Sequence, residues 1–394
     1  MEENVAQAGV FLELRQRLQS GLLVVRSDVA GDPSEVTVSS GEGSLRIEIP
    51  GGKLCVQLPP GVSLMQGSCR EVSNTPGEGT HLRLRLQVDQ HTDAPRSVMR
   101  KLQVKKSYDF SCQRCRERLL TERVFSRVLP LPNGNWNTLV EDWCCHPDPF
   151  ANRKLLPRPA DCLLGDTYFL LSKDERCDQK LLQESNPAQS DASDSENSGQ
   201  KPKRVNSVLC RNCGAVLGEA IAPETLKLYI TETLVEPSND GVLGKQHRWL
   251  FLEQTIAARL LELSSEQSIF RFSLQTPNGK AFILLWLLNT DSLVTSVSLP
   301  TTVGSDASSR RGVRVQGEHQ SCAACSAVKV LYLPCAPSMH QDIVDTWEKD
   351  VSVHPLTLPQ PTCQEVTRLL TASTSSLPPS LRKMNSYQVA FMRL

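Results

Sequence analysis

The feature that most limits how this chain can fold is a set of three Cys-x-x-Cys pairs. They are Cys112/Cys115, Cys210/Cys213 and Cys322/Cys325. Two thiolates two residues apart fit one face of a tetrahedral zinc ion, and a second pair completes the site. Gly214 lets the backbone turn after the second pair and direct its amides at the sulfurs. We therefore predict one structural zinc ion bound by the first two pairs.

The distance between these pairs along the chain has a topological consequence. Residues 116–209 separate them, far more than in an ordinary zinc ribbon. Zinc bound by both pairs would hold the two ends of a long excursion of the chain. The third pair lacks a following Gly and adjoins a predicted strand, so it stays an alternative to either of the others. Any single pair is also compatible with ordinary free thiols.

The compartment decides how the fourteen cysteines are interpreted. The amino-terminal stretch MEENVAQAGVFLELRQ begins with acidic residues and lacks the basic and apolar regions of a signal peptide. Without a sign of secretion, the cysteines are interpreted as thiols and metal ligands rather than as a disulfide framework. We expect a cytoplasmic protein with access to the nucleus.

Length and composition exclude several classes of function. The chain has 394 residues, for which two or three domains are expected, and 39% of its residues are hydrophobic, as in globular proteins. The formal net charge is zero, which argues against direct nucleic-acid binding as the main role. No apolar run reaches transmembrane length, so we expect no membrane partner.

Residues 1–105 are predicted to form a β-rich domain. Apolar and polar side chains alternate with a period of two in several segments, which is typical of strands with one buried face. These segments are VFLELRQRL, SLRIEIP, GKLCVQL and HLRLRLQVD. Gly and Pro mark the turns between them, so an antiparallel sheet or sandwich is expected.

Three further parts are predicted beyond residue 105, which makes the fold class α+β. Residues 106–183 hold the first cysteine pair and a long loop. Residues 184–204 are rich in Ser, Asp and Asn, which predicts a disordered linker. Residues 205–394 mix strands with short helices and one long helix over 245–266, whose apolar residues have helical spacing.

The loop from Trp143 to Pro159 is the most unusual stretch. Four prolines, at positions 147, 149, 157 and 159, forbid a helix and remove main-chain donors. We predict an extended loop that carries aromatic and thiol side chains. It either packs onto its own domain or contacts a partner, and the residue types alone leave both interpretations open.

The carboxy-terminal tail carries a family resemblance. The chain resembles the HECT-like ubiquitin ligases that bind conjugating enzymes. The resemblance is carried by DWCCHPDPF, by the two cysteine knuckles CQRC (112–115) and CRNCG (210–214), and by the tail segment STSSLPPSLRKMNS. The resemblance covers the whole chain. It implies a ubiquitin-protein transferase that takes ubiquitin from a conjugating enzyme and passes it to protein substrates for proteasomal degradation.

The resemblance also implies a catalytic thiol. HECT ligases carry their acceptor cysteine in a Leu-Pro-x-x-x-Thr-Cys context followed by Leu-Pro, and Thr362-Cys363 lies in a similar order here. Cys363 is therefore the expected acceptor of ubiquitin as a thioester, since a thiolate attacks a thioester readily. The spacing differs by one residue, and the large amino-terminal HECT lobe is absent. A buried structural thiol is the alternative for Cys363.

A second, non-catalytic function is implied by the loop. In members of this family, DWCCHPDPF is similar to a motif that enters a metallo-β-lactamase-type endonuclease of pre-mRNA 3′-end processing, where a cysteine sulfur caps the zinc of that enzyme. Residues 131–159 would then inhibit or chaperone the endonuclease. Cys145 is the expected capping thiol, because His146-Pro147 fixes an extended exit of the chain.

Partner contacts are accordingly predicted in two places. The start of the long helix carries apolar residues on more than one face, which favours docking of a conjugating enzyme, although burial of all of them is the alternative. The predicted contact residues are Trp143, Cys144, Cys145, His146, Asp148 and Phe150 in the loop, and Trp249, Leu250 and Phe251 in the helix.

Overall fold

A computed structural model gives the fold of most of the chain. The residues that it describes are 9–30, 35–50, 52–75, 78–89, 97–132, 155–174, 177–186, 205–238, 246–297, 319–335 and 340–394.

Among the residues described, strands outnumber helices. In chain order the strands are β1 Val10–Arg15, β2 Ser20–Val25, β3 Thr37–Gly41, β4 Ser44–Ile49, β5 Gly52–Gln57, β6 Val62–Leu64, β7 Arg70–Thr75, β8 Gly79–Val88, β9 Ser107–Cys112, β10 Arg118–Val124, β11 Arg127–Pro130, β12 Asp161–Leu164, β13 Tyr168–Ser172, β14 Leu181–Asn186, β15 Val205–Cys210, β16 Val216–Ala222, β17 Thr225–Tyr229, β18 Thr233–Pro237, β19 Arg271–Gln275, β20 Ala281–Val297, β21 His319–Ala323, β22 Cys325–Pro334, β23 Val353–Thr357, β24 Lys383–Met384 and β25 Tyr387–Arg393. The α-helices are α1 Ser27–Ala30, α2 Val98–Lys101, α3 Cys177–Lys180, α4 Arg248–Gln267, α5 Gln341–Glu348 and α6 Gln360–Ser376.

The largest sheet joins both ends of the chain. Its main path is β24-β25-β22-β20-β1-β2-β8-β6, with β19 beside β20, β23 beside β19, and β7 beside β8. Because β1 pairs with both β2 and β20, strands from before residue 105 and after residue 204 lie side by side. The α+β class is therefore confirmed as a β-rich fold of several sheets. The predicted domain boundaries stay predictions.

The long helix α4 and the later helix α6 cover one face of this sheet. They bury an apolar core against it because their apolar side chains recur at helical spacing. The helical part of this core consists of Leu252, Ile256, Ala257, Leu260, Leu263, Cys363, Val366 and Leu370. The predicted helix over 245–266 is confirmed, beginning at Arg248 and ending at Gln267.

A second group of sheets carries the cysteine pairs. The seven-stranded sheet runs β11-β12-β13-β17-β16-β15-β14, and a three-stranded sheet runs β10-β9-β18. Their shared core includes Phe110, which packs edge-on against Phe125 and Phe169 with ring centroids 6.1 and 5.7 Å away. This core holds the ends of β9 and β15, where the first cysteine of each pair lies. The remaining sheet runs β21-β5-β4-β3.

The first residues of the predicted linker lie in a strand. Residues 184–186 belong to β14 and pair with β15, for example Glu184 with Ser207. An edge strand can form from polar residues because the main-chain ladder, not apolar burial, holds it. Residues 187–204 lie outside the described residues.

Candidate metal centre and docking surface

The four sulfur atoms of the first two cysteine pairs lie together. All four are within 4.8 Å of one another. The Sγ atoms of Cys112 and Cys213 are 3.7 Å apart, and those of Cys115 and Cys210 are 3.6 Å apart. Tetrahedral zinc with Zn–S bonds of about 2.3 Å requires sulfur–sulfur distances of about 3.8 Å. The donor set and its geometry therefore fit one zinc ion, as the sequence predicts.

Both pairs sit on matching turns. The amide of Arg116 donates to the Cys112 carbonyl at 2.9 Å, and the amide of Gly214 donates to the Cys210 carbonyl at 2.8 Å. The residue after each second cysteine has a left-handed backbone, with φ of 64° at Arg116 and 68° at Gly214. Gly adopts this conformation without strain, as expected from the sequence, whereas Arg116 adopts it at a cost.

The surroundings of the sulfur atom differ between Cys112 and Cys115. Burial raises the pKa of Cys112, although the amides of Cys115 and Arg114 offset part of that effect. Burial also acts to raise the pKa of Cys115. Hydrogen bonds from the Asn212 side chain and the Glu117 amide outweigh it and lower the pKa to about 7. Donors directed at sulfur favour the thiolate, the form that binds zinc.

The third cysteine pair does not take part. Among the residues described, the metal-ligating side chains that come together are the four cysteines above. Cys322 lies half-buried at the end of β21 and accepts a hydrogen bond from Thr295 at 3.5 Å, while Cys325 is exposed. The alternative in which this pair replaces one of the other two is therefore wrong, because the four sulfur atoms that cluster are those of the first two pairs.

The first knuckle also contacts the two core helices. Arg248, at the start of α4, donates to Gln113 Oε1 at 3.3 Å, to Glu232 Oε1 at 2.8 Å and to Glu365 Oε2 at 2.9 Å. Its guanidinium also donates to the Thr231 carbonyl. Gln113 lies inside the first cysteine pair, and Glu365 lies on α6. One arginine thus ties the knuckle to both helices.

Two further contacts strengthen this junction. Arg114, also inside the pair, faces Glu365 at 3.5 Å. Arg116 donates to the Gln246 carbonyl, just before α4, at 3.3 Å. This network is not predicted from the sequence. The signal was present as charged residues within and after CQRC, but it could not show which helix they would meet.

The start of α4 presents an exposed tryptophan. Trp249 is 42% exposed, whereas Leu250 and Phe251 are half-buried. The Arg393 guanidinium lies 5.1 Å from the centre of the Trp249 ring, and His247 stacks on it with a centroid distance of 6.3 Å. The structure thus places one of the three predicted docking residues at the surface. The helix buries its opposite face in the core.

An open groove of about 460 Å³ lies beside Trp249. Residues of α4, α6 and the large sheet line it. Its lining includes Trp249, Glu253, Leu369, Leu377, Phe391 and Arg393. Glu253 is buried, which raises the pKa of its carboxyl group, and it accepts a 2.9 Å hydrogen bond from the Arg393 amide. The groove thus combines apolar side chains with polar groups, which include Thr295, Ser296, Ser373 and Ser376, as binding sites commonly do.

Cys363 lies in the first turns of α6 and is fully buried. Its Sγ lies 3.7 Å from the Leu358 carbonyl, and burial raises the pKa of the thiol to about 12. A thiol with such a pKa is protonated at neutral pH, and the thiolate is the nucleophile. The described conformation therefore matches the buried-thiol alternative better than the predicted acceptor role.

The loop residues of the second predicted function lie outside the described residues. They are Trp143, Cys144, Cys145, His146, Asp148 and Phe150. Within the predicted stretch 131–159, the described parts are residues 131–132 and 155–159. The role of this loop stays a prediction.

Comparisons with known proteins find relatives over the whole chain. A family model described as HECT-like Ubiquitin-conjugating enzyme (E2)-binding matches residues 13–389. E3 ubiquitin-protein ligase E3D of Mus musculus is 41% identical over 395 residues, which cover 99% of each protein. The protein of that name from Homo sapiens is 39% identical over 409 residues, which cover 100% of each. No solved structure matches. None of the described helices is both long and apolar enough to cross a membrane.

Proposed function

Because the chain belongs to the HECT-like ubiquitin-conjugating enzyme (E2)-binding family, we propose that it is a ubiquitin-protein ligase. It docks a ubiquitin-loaded conjugating enzyme and directs ubiquitin to protein substrates, which are then degraded by the proteasome. Full-length relatives named as ubiquitin-protein ligases support this proposal.

The conjugating enzyme docks on the groove beside Trp249. The observation that carries this proposal is the exposure of a tryptophan at the start of a helix that buries Leu252, Ile256 and Leu260 in the core. Exposed aromatic side chains next to an apolar groove are typical anchor points of protein interfaces. Glu253 and Arg393 add a polar point that can orient the partner.

Substitution of two tryptophans tests the docking site. Trp249→Ala should weaken conjugating-enzyme binding by at least about tenfold, because anchor truncation commonly costs about 2 kcal/mol or more. Trp286→Ala is the matched control, since Trp286 on β20 is 41% exposed and does not line the groove. Calorimetry with the charged conjugating enzyme measures both. Equal affinities for wild type and Trp249→Ala would reject this docking site.

Zinc bound by Cys112, Cys115, Cys210 and Cys213 is the structural cofactor of the ligase. Sulfur positions that match tetrahedral coordination support this assignment. Elemental analysis should find about one zinc per chain in wild type, and Cys210→Ser should lose it. Cys325→Ser, at the exposed third pair, is the matched control and should keep the metal. Full zinc content in Cys210→Ser would refute the ligand set.

Transfer through Cys363 is the finer form of the ligase proposal. In it, the Cys363 thiolate attacks the carbonyl of the conjugating enzyme's thioester, and the enzyme's cysteine leaves as a thiolate. The Thr-Cys tail context supports this route, whereas burial of the thiol favours direct transfer from the conjugating enzyme to the substrate. Transfer through the buried Cys363 thiol requires the start of α6 to open.

Trapping experiments separate the two routes. If Cys363 accepts ubiquitin, Cys363→Ala should abolish transfer, and Cys363→Ser should accumulate an oxyester that resists thiols. If transfer is direct, Cys363→Ala should keep both activity and zinc content. Circular dichroism and zinc analysis confirm that the variant is folded, so loss of activity can be assigned to chemistry.

Inhibition of a zinc endonuclease is a second proposed function, carried by residues 131–159. The prolines and paired thiols of DWCCHPDPF favour it. A peptide spanning 131–159 should inhibit the pre-mRNA 3′-end endonuclease, Cys145→Ala should lose inhibition, and Asp148→Ala should keep most of it. Cys363→Ala in the full chain should have no effect. Equal inhibition by the Cys145→Ala and wild-type peptides would exclude a metal–sulfur contact.

A further inference from the structure

One face of the large sheet carries an arginine cluster, here Arg15, Arg70, Arg83 and Arg85. In the strand register, Arg15 lies opposite Ser20, and Ser20 lies opposite Arg85. Arg83 and Arg70 lie opposite each other on β8 and β7. Residues directly opposite in antiparallel strands share a face, as do residues two apart on one strand. All four side chains therefore project from the same face.

The fold explains why these arginines face outward. On β8 the alternate residues Leu82, Leu84 and Leu86 enter the amino-terminal core. Arg83 and Arg85 stand between them and are exposed. A one-residue change of register would bury both charges, so the pattern of the strand fixes their direction.

None of the four guanidinium groups has a partner among the described residues. The side-chain hydrogen bonds and ion pairs found there do not involve them, although like charges directly opposite each other are unfavourable. The Nε atom of Arg15 is buried without an acceptor. Glu13, which shares this face of β1 with Arg15, accepts hydrogen bonds from Lys329 at 2.9 and 3.1 Å. The cluster is thus an uncompensated positive surface on a chain of zero net charge.

We propose that this face binds an extended acidic segment of a protein partner. Arg83 and Arg85 are two residues apart on a strand, so their backbone positions are about 7 Å apart. In an extended peptide, acidic residues at every second position have the same spacing, and each carboxylate can take a bidentate guanidinium contact. Arg15, two strands from Arg85 and about 10 Å away, extends the surface across the sheet.

A nucleic acid fits this face less well than an acidic peptide. Single-stranded nucleic acids need aromatic side chains on which bases stack. The aromatic residue of the strands β1, β2, β7 and β8 is Phe11, which is 3% exposed. The face offers charge without stacking, which suits carboxylates. The proposal does not depend on ubiquitin chemistry, and it adds a partner-binding surface to the groove at Trp249.

Binding of labelled peptides to the full-length protein tests the proposal. A fluorescent peptide of alternating Glu and Ser should bind wild type in an anisotropy titration, and Arg83→Ala/Arg85→Ala should weaken it at least about tenfold, since two charge-assisted contacts are lost. Arg368→Ala/Lys280→Ala, which removes two exposed charges elsewhere, is the matched control and should change affinity less than about twofold.

Charge reversal makes the test independent of folding defects. Arg83→Glu/Arg85→Glu should lose the Glu-Ser peptide and gain a Lys-Ser peptide of equal length. An equal loss of affinity in the matched control, or no gain of the basic peptide after reversal, would overturn the proposal. Tighter binding of an oligothymidine than of the acidic peptide, abolished by Arg83→Ala/Arg85→Ala, would assign the face to nucleic acid instead.

Discussion

Replacement of Arg248 by methionine tests the junction between the knuckle and the helices. The change keeps the aliphatic stem and removes the guanidinium. The largest effect is expected at Glu232, because its side chain is 4% exposed and its carboxylate accepts a hydrogen bond from Arg248 at 2.8 Å. After substitution it keeps the hydroxyl of Thr362, at 2.6 Å, and loses its counter-charge.

The structure sets the size of the effect. Removal of one partner of a buried ion pair costs about 3–5 kcal/mol, because a charge is left buried and unpaired. The Arg248 side chain is 22% exposed, so water can enter the space and reduce this cost. Loss of the bonds to Gln113 and the Thr231 carbonyl adds about 1 kcal/mol. We therefore expect Arg248→Met to lower the free energy of unfolding by about 3–4 kcal/mol.

Urea unfolding measures this loss of stability. The variants compared are Arg248→Met, Arg114→Met, Glu232→Gln and the double variant Arg248→Met/Glu232→Gln. Arg114→Met is the matched control, because its side chain is 49% exposed and lies 3.5 Å from Glu365, so it should cost less than about 1 kcal/mol. Arg248→Met/Glu232→Gln should recover part of the loss, because the buried charge is gone. If Arg248→Met costs no more than Arg114→Met, or if Glu232→Gln adds fully to the loss, the buried-charge reasoning is refuted.

Three further predictions concern the knuckle and the half-buried carboxylate of Asp166. Gly214→Ala should destabilise the metal-bound protein by about 1–2 kcal/mol, because φ is 68° there, and weaker zinc retention against a chelator measures it. Removal of zinc by a chelator should increase hydrogen exchange in the turns 112–117 and 210–215, whereas β8 should stay protected. Burial raises the pKa of Asp166, but bonds from His354 at 3.0 Å and from Arg259 outweigh it and lower the pKa. Because the pKa of Asp166 is lower in the folded than in the unfolded state, its carboxylate stabilises the protein above about pH 4. This stabilisation is lost as the pH falls through the folded pKa, so the stability of Asp166→Asn should decrease less steeply with acid.

Local patterns predicted much of this structure from the sequence. The alternation in HLRLRLQVD placed β8 and its two faces, and helical spacing placed α4 within three residues at its start. The paired cysteines with Gly214 placed the metal ligands. Each of these signals is carried by residues close together in the chain, where side-chain period and turn chemistry determine the conformation.

Long-range pairing was not predictable in the same way. Nothing in VFLELR indicates that β1 pairs with β20. Period-two alternation predicts which face of a strand is buried, but it does not predict which strand lies beside it. The tail around Cys363 shows the same limit. A Thr-Cys context suggests an exposed nucleophile, yet helical spacing with Val366 and Leu370 turns this thiol into the core. Residue order gives the motif, and packing decides its exposure.

Two consecutive residues connect the metal centre to the docking surface. Arg248 is held by the knuckle and by Glu232, and the next residue, Trp249, is exposed at the groove. One helical residue advances the chain by about 1.5 Å, so displacement of Arg248 necessarily moves the indole that follows it. We therefore predict that a zinc ion bound by the four cysteines, by fixing the knuckle, also holds the tryptophan in position. The pairing of Cys112 and Cys115 with Cys210 and Cys213 would then orient the surface proposed to receive the conjugating enzyme as well as stabilise the fold.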